Sequence, residues 1–229
     1  MSIEDAAKLM DAVSKLVGTL VWPCVILFVL TRYRHSLKEF FETLSEISLK
    51  GAGFEASAKR TKVEASAALV AAAVAHQEVG TTPESAANNV RAAATAVEAV
   101  TLRTIRRAKK STVLWVDDRP ENNVNERRAL EALGVNFVIS TSTEDALTKM
   151  QKQKFDVIIS DMGRPPDSRA GYTLLENIRQ SGDRMPFVIY AGSRAPEHVA
   201  ESRRRGAMGC TNRPDELFEY VLSALRSED

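Results

Sequence analysis

Cysteine is scarce in this sequence, with 2 in 229 residues, too few for a disulfide-stapled secreted module. Charge of one sign is missing as well. Lys and Arg number 31 against 30 Asp and Glu, so there is no basic excess to drive nucleic-acid binding, and no nucleic-acid partner is expected. No CxxC, HExxH, Walker or GxGxxG pattern occurs, which leaves the common zinc, redox and nucleotide-cradling chemistries without sequence support. What is present is globular in composition, 44% hydrophobic and 27% charged, with a length that suits one or two domains.

The even averages conceal segregation along the chain. Residues 16–30, LVGTLVWPCVILFVL, carry no charge, and extension back to Ala12 adds only Lys15 and reaches 19 residues. At about 1.5 Å per residue that spans roughly 28 Å, near the thickness of a bilayer core. Mixed charges precede the run (Glu4, Asp5, Lys8, Asp11), and no small-residue cleavage site follows it, so a secretory signal peptide fits poorly. The competing assignment, a buried soluble helix, does not account for the basic, aromatic flank of Arg32, Tyr33, Arg34 and Lys38. The expectation is a single-pass anchor in the cell inner membrane, with lipid as a partner. The cation bias puts the N-terminus outside and the C-terminal bulk in the cytoplasm. Cys24 would then lie in the bilayer and Cys210 in a reducing compartment.

Residues 1–50 are thus assigned to the anchor and a juxtamembrane helix. In the latter, Leu37, Phe40, Phe41, Leu44, Ile47 and Leu49 fall largely on one stripe. Residues 51–110 read as a helical connector with 16 alanines between 55 and 100. One helix is expected over about 60–77. A second begins after Thr82 as N-cap, with Pro83 at its first position, and runs to about 110. The short break between them predicts an antiparallel hairpin. Val90, Ala94, Val97 and Thr101 form a stripe that suits either a homo-oligomer seam or packing within the hairpin. The run Arg103, Arg106, Arg107, Lys109 and Lys110 suits a helix C-terminus, where cations are favourable. His76 reads as an exposed helix-end residue.

From Thr112 the texture changes to short apolar strands alternating with helices. Strands are expected at VLWV (113–116), NFVIS (136–140), DVIIS (156–160), FVIYA (187–191) and MGCTN (208–212). Helices follow each of them, the second capped by Thr143. Such alternation predicts an α/β fold, a doubly wound (βα)5 parallel sheet covered on both faces over residues 111–229. Ligands of these sheets bind at the carboxyl ends of the strands, near the switch in strand order. Strand 1 ends in Asp117 and Asp118, and strand 3 ends in Asp161. Three carboxylates brought together are costly without a cation, and an all-oxygen cluster suits Mg²⁺.

This half of the chain resembles the receiver domain of two-component response regulators, a flavodoxin-like fold. The resemblance rests on the (βα)5 order, the acidic pair after strand 1, Asp161 after strand 3, Pro165 four residues later, Gly171 opening the third helix, and GCTNRP at strand 5. It implies that Asp161 accepts a phosphoryl group from a sensor histidine kinase. It also implies that Mg²⁺ is held by Asp117, Asp118, Asp161 and the Gly163 carbonyl. The implied catalytic contributors are Arg213, where the family usually has Lys, and Ser193, two residues beyond the usual hydroxyl position, here Ala191. The family's strand-5 aromatic corresponds to Cys210, and the loop MGRPPDSRAG after Asp161 is longer than usual; its Arg164 and Arg169 either touch an anion or are solvated, with solvation the preferred reading. Two readings stand side by side: a membrane-anchored receiver phosphorylated at Asp161, and a non-phosphorylated pseudo-receiver serving as adaptor, oligomerisation module or membrane effector.

Overall fold

A computed structural model describes residues 56–76, 82–193 and 195–226. The expected membrane span and juxtamembrane helix lie outside these residues. No described helix is long and apolar enough to cross a membrane.

Residues 57–229 form one compact unit. Its first helix, α1, is described over 56–75. Helix α2 (Pro83–Glu98) starts as its sequence demands: Thr82 Oγ1 accepts the Ser85 N–H at 3.2 Å, and Pro83 opens the first turn. The expected single helix to residue 110 is corrected to two. Thr101 adopts an extended backbone and its hydroxyl accepts the Thr104 N–H at 3.2 Å, so a new helix, α3 (Leu102–Ala108), begins there. A side chain that captures a backbone donor in this way competes with continuation of the helix before it.

The sheet follows. Its elements are β1 (Thr112–Val116), a 3₁₀ turn (Pro120–Asn123), α4 (Val124–Ala132), β2 (Asn136–Ser140), α5 (Thr143–Lys152) and β3 (Val157–Ser160). Then come α6 (Ala170–Gln180), β4 (Phe187–Tyr190), α7 (Pro196–Arg204), β5 (Gly209–Thr211) and α8 (Pro214–Arg226). The five strands are parallel in the order β2-β1-β3-β4-β5, so the order reverses between β1 and β3. The cap of α5 is Ser142, whose Oγ accepts the Asp145 N–H at 3.1 Å, and not the expected Thr143. Thr143 is occupied elsewhere, as an acceptor for Arg164.

Side chains alternate between two cores, as the period of a strand requires. On one face Leu114, Val116, Ile158, Phe187 and Ile189 meet α5 and α6. On the other Val113, Trp115, Val157, Ile159, Val188 and Tyr190 meet α4 and α8. This second core does not stop at the two helices. Ala58, Ala65, Leu69 and Ala73 of α1, Ala93, Ala96 and Val97 of α2, and Ile105 and Ala108 of α3 belong to it. The alanines therefore serve as a close-fitting cover over α4 and α8, with Lys62 Nζ of α1 also donating to the Glu98 carbonyl of α2 at 3.1 Å. Val97, one member of the stripe Val90, Ala94, Val97 and Thr101, is buried within this unit. The change of texture at residue 111 does not coincide with a gap in packing.

Because the core is shared, Leu69→Ala should cost about 2–5 kcal/mol, the usual range for a buried leucine. Thermal unfolding is expected to keep one transition, at lower temperature, by near- and far-ultraviolet circular dichroism alike. A separate early transition confined to the far-ultraviolet signal would refute the shared core.

Candidate functional site

The register of the sheet builds the site. Val116 and Ser160 are partners across β1 and β3, so the residues that follow them, Asp117 and Asp161, leave adjacent strands side by side, about 4.8 Å apart. Asp118 joins them: ligand oxygens of Asp117, Asp118 and Asp161 all lie within 4.8 Å of one another. The three predicted metal-binding carboxylates are thus brought together, and Gly163 lines the same cavity, of about 410 Å³.

Asp117 is buried and held by three donors. These are Asn123 Nδ2 at 2.6 Å, the Arg119 N–H at 2.8 Å and Trp115 Nε1 at 3.3 Å. Trp115 is a core residue that also orients a carboxylate. Asp161 Oδ1 accepts the Met162 N–H at 2.7 Å. Burial pushes the Asp161 carboxyl pKa up, and the charges of Asp117 and Asp118 push the same way, against that hydrogen bond and Arg164. Arg164 and Arg119 offset only part of the charge of three carboxylates, and the hard oxygen donors fit a small divalent cation that neutralises the rest. Gly171 is dictated by the same corner. A Cβ there would sit 2.7 Å from the Asp161 carbonyl oxygen.

Arg164 corrects the expectation of a solvated side chain. Backbone bonds pair Arg164 with Asp167 in both directions, folding the long loop back and turning the guanidinium inward. It is 3% exposed. Nη1 donates to Ser160 Oγ and to the Asp161 carbonyl, each at 2.7 Å, and Nη2 donates to Thr143 Oγ1 at 3.0 Å. It thereby ties the exit of β3 to the start of α5. Arg169 is exposed, its guanidinium 5.3 Å from the Tyr172 ring centroid.

The structure sends Arg213 and Ser193 away from the carboxylates. Arg213 bonds Asp215 through Nη2 at 2.5 Å and Nε at 3.1 Å, with Glu216 at 3.5 Å. A forked guanidinium finds a bidentate partner at the start of α8 that a linear ammonium would not match as well. Ser193 Oγ is 3.0 Å from His198 Nδ1 and accepts the Ala195 N–H at 3.3 Å. Both His198 and Ser193 line a second cavity, with Met162, Tyr172 and the buried Cys210. Neither Arg213 nor Ser193 lines the carboxylate cavity.

His76 lies at an exposed helix end, as expected, but it has a partner there that the sequence reading did not supply. It lines the carboxylate cavity from the end of α1. Its Nε2 is 2.8 Å from Oε1 of Glu126, a residue 2% exposed. The Tyr190 hydroxyl donates to the same oxygen at 2.9 Å, and the His76 and Tyr190 rings meet edge to face at 6.0 Å. The hydrogen bond to Glu126 raises the His76 pKa above its ordinary 6.5, against the effect of burial. Burial likewise holds the Tyr190 hydroxyl protonated. A signal for this group existed in the sequence. Glu126, Ala129, Leu130 and Leu133 recur at helical spacing on the buried face, and the exposed His76 follows at the end of the buried stripe Ala65, Leu69, Ala72 and Ala73.

A family model described as "Response regulator receiver domain" matches residues 113–221. Among known proteins, "Sensor histidine kinase RcsC" of Salmonella typhimurium is 29% identical over 102 residues, which is 44% of this chain and 10% of that protein. The "Gliding motility regulatory protein" of Myxococcus xanthus is 30% identical over 101 residues, 43% of this chain and 12% of that protein. The chain spans about a tenth of the length of these curated relatives. Among solved structures, the Francisella response regulator 1452 receiver domain is 21% identical with a TM-score of 0.48, covering 52% of this chain and 99% of that one. The chemotaxis response regulator CheY4 of Vibrio cholerae is 27% identical with a TM-score of 0.44, covering 50% and 98%. Residues 113–221 are a receiver domain of two-component signalling.

The raised His76 pKa links this pair to stability. Its contribution is complete below the unfolded value of 6.5 and is lost as pH rises through the higher folded value. A pair of this kind is worth on the order of 1 kcal/mol. The melting temperature of His76→Gln should therefore lie below wild type at pH 5.5 and approach it by pH 9, a gap of roughly 2–4 °C closing with pH. A gap that is constant across that range would exclude the pair as its source.

Proposed function

We propose that this protein is a membrane-anchored signal-transduction protein whose receiver domain accepts a phosphoryl group on Asp161. The convergence of Asp117, Asp118 and Asp161 at the switch in strand order carries this reading. A carboxylate oxygen of Asp161 would attack the donor's phosphorus, forming an acyl phosphate. The donor's bond to phosphorus would break, with the electron pair leaving on the donor. Mg²⁺, held by Asp117, Asp118, Asp161 and the Gly163 carbonyl, would supply neutralising charge when bound. Asp117 stays oriented for this by Asn123, Trp115 and the Arg119 N–H. Arg164 fixes the Asp161 carbonyl, and with it the strand exit from which the carboxylate projects.

A sensor histidine kinase is the proposed donor. The match to proteins named as such, over the length of a receiver domain, supports it. Arg213 and Ser193 favour the second reading, a pseudo-receiver adaptor, because both are committed outside the cavity. The uncharged run 16–30 with its basic flank supports the anchor, with the N-terminus outside and the receiver cytoplasmic.

Acetyl phosphate with Mg²⁺ should add one phosphoryl mass to the full chain. Chelation of the metal or Asp161→Asn should abolish the addition, while the variant keeps its circular dichroism spectrum. A folded wild-type chain that takes up no phosphoryl group would decide for the adaptor. In cells, the chain should sediment with membranes through alkaline carbonate and be released by detergent; recovery in the carbonate supernatant would exclude a spanning anchor.

A further inference from the structure

We infer that His76, contributed by the alanine-rich helices, is the cationic residue that meets the phosphoryl group on Asp161, so that the phosphate site is completed from outside the receiver domain. The inference rests on Asp161 being the phospho-acceptor.

A phosphoryl group added to a cluster of three carboxylates increases a negative charge that Arg164 and Arg119 offset only in part. Charge-assisted donors beside it are then needed. Among the described residues, the cationic side chains lining the cavity are His76 and Arg119. Arg119 is a weak candidate. Its side chain is 70% exposed and reaches Asp118 only at 3.9 Å, so water screens it. Arg213 is held by Asp215 and Glu216. Arg164 is buried and turned to Ser160 Oγ, Thr143 and the Asp161 carbonyl.

His76 meets the requirements the others miss. It is positioned through Nε2 by Glu126, whose other oxygen is buried without a hydrogen-bond partner. A buried carboxylate in that state favours a charged neighbour over a neutral one. The end of α1, from which His76 projects, also favours a cation through the helix dipole. Once protonated, the ring has two N–H donors. Nε2 serves Glu126, and Nδ1 is the donor left for a phosphoryl oxygen. Tyr190, which also bonds Glu126 and lines the cavity, closes the group from the side of β4.

The test compares wild type with His76→Gln, His76→Lys and Arg119→Gln in the full chain. Two quantities are read: the rate of Asp161 labelling by acetyl phosphate, and the rise in melting temperature caused by Mg²⁺ alone. His76→Gln is expected to slow labelling roughly ten- to a hundredfold, the scale for loss of one preorganised charge-stabilising donor. His76→Lys should recover most of that rate, and Arg119→Gln should slow labelling less than His76→Gln does. The Mg²⁺-dependent rise, which reports the carboxylates, should persist in every variant and so exclude misfolding as the cause. Labelling of His76→Gln at the wild-type rate, or failure of His76→Lys to label faster than His76→Gln, would overturn the inference while the phospho-acceptor reading stands. An unlabelled wild type would instead overturn that reading, and the inference with it.

Discussion

Repulsion among three carboxylates is the constraint around which this fold is arranged. Parallel pairing of β1 with β3 leaves Asp117 and Asp161 no choice but to emerge as neighbours, and Asp118 follows directly. The cost is met on several sides. Asn123, Trp115 and a backbone N–H grip Asp117. Arg164 lies beneath the corner, buried, with its charge close to Asp161. The remaining deficit is what a divalent cation suits. Groups held in fixed positions by such contacts can bind charge without reorganising.

The second organising feature is a covered sheet face. Small side chains let α1, α2 and α3 approach α4 and α8 closely, so residues that bury little area one by one form a continuous core together. Through that cover, a stack of rings runs from Phe137 through Trp115 and Tyr190 to His76, with centroid separations of 5.9, 6.1 and 6.0 Å. Trp115 bonds Asp117 at one point of this stack and Tyr190 bonds Glu126 at the next. The carboxylate corner and the helical cover are therefore joined by direct contacts.

Most of the receiver fold could be read from the sequence, because apolar runs of four or five residues between capped helices have few other solutions. Asp117, Asp118 and Asp161 were legible for the same reason: strand ends in a parallel sheet face one way. What could not be read depended on contacts between segments distant in sequence. Arg164 looked solvated because its burial is made by a loop that folds back on itself. Arg213 looked available because nothing in GCTNRP declares that Asp215 will hold it. Glu126 and His76 lay in plain view on apolar stripes, but each acquires meaning only from the other, 50 positions away along the chain.

The interdigitation of alanine helices with α4 and α8 bears on how this protein can be dissected. A cut between residues 110 and 111, where motif boundaries invite one, would strip Ala65, Leu69 and Val97 from the apolar surface they seal. It would expose that surface to water and take away the imidazole partner of Glu126. Inactivity in such a fragment would report damage to a lining rather than the dispensability or idleness of either half. Point replacements in the intact chain are the cleaner instrument for this molecule.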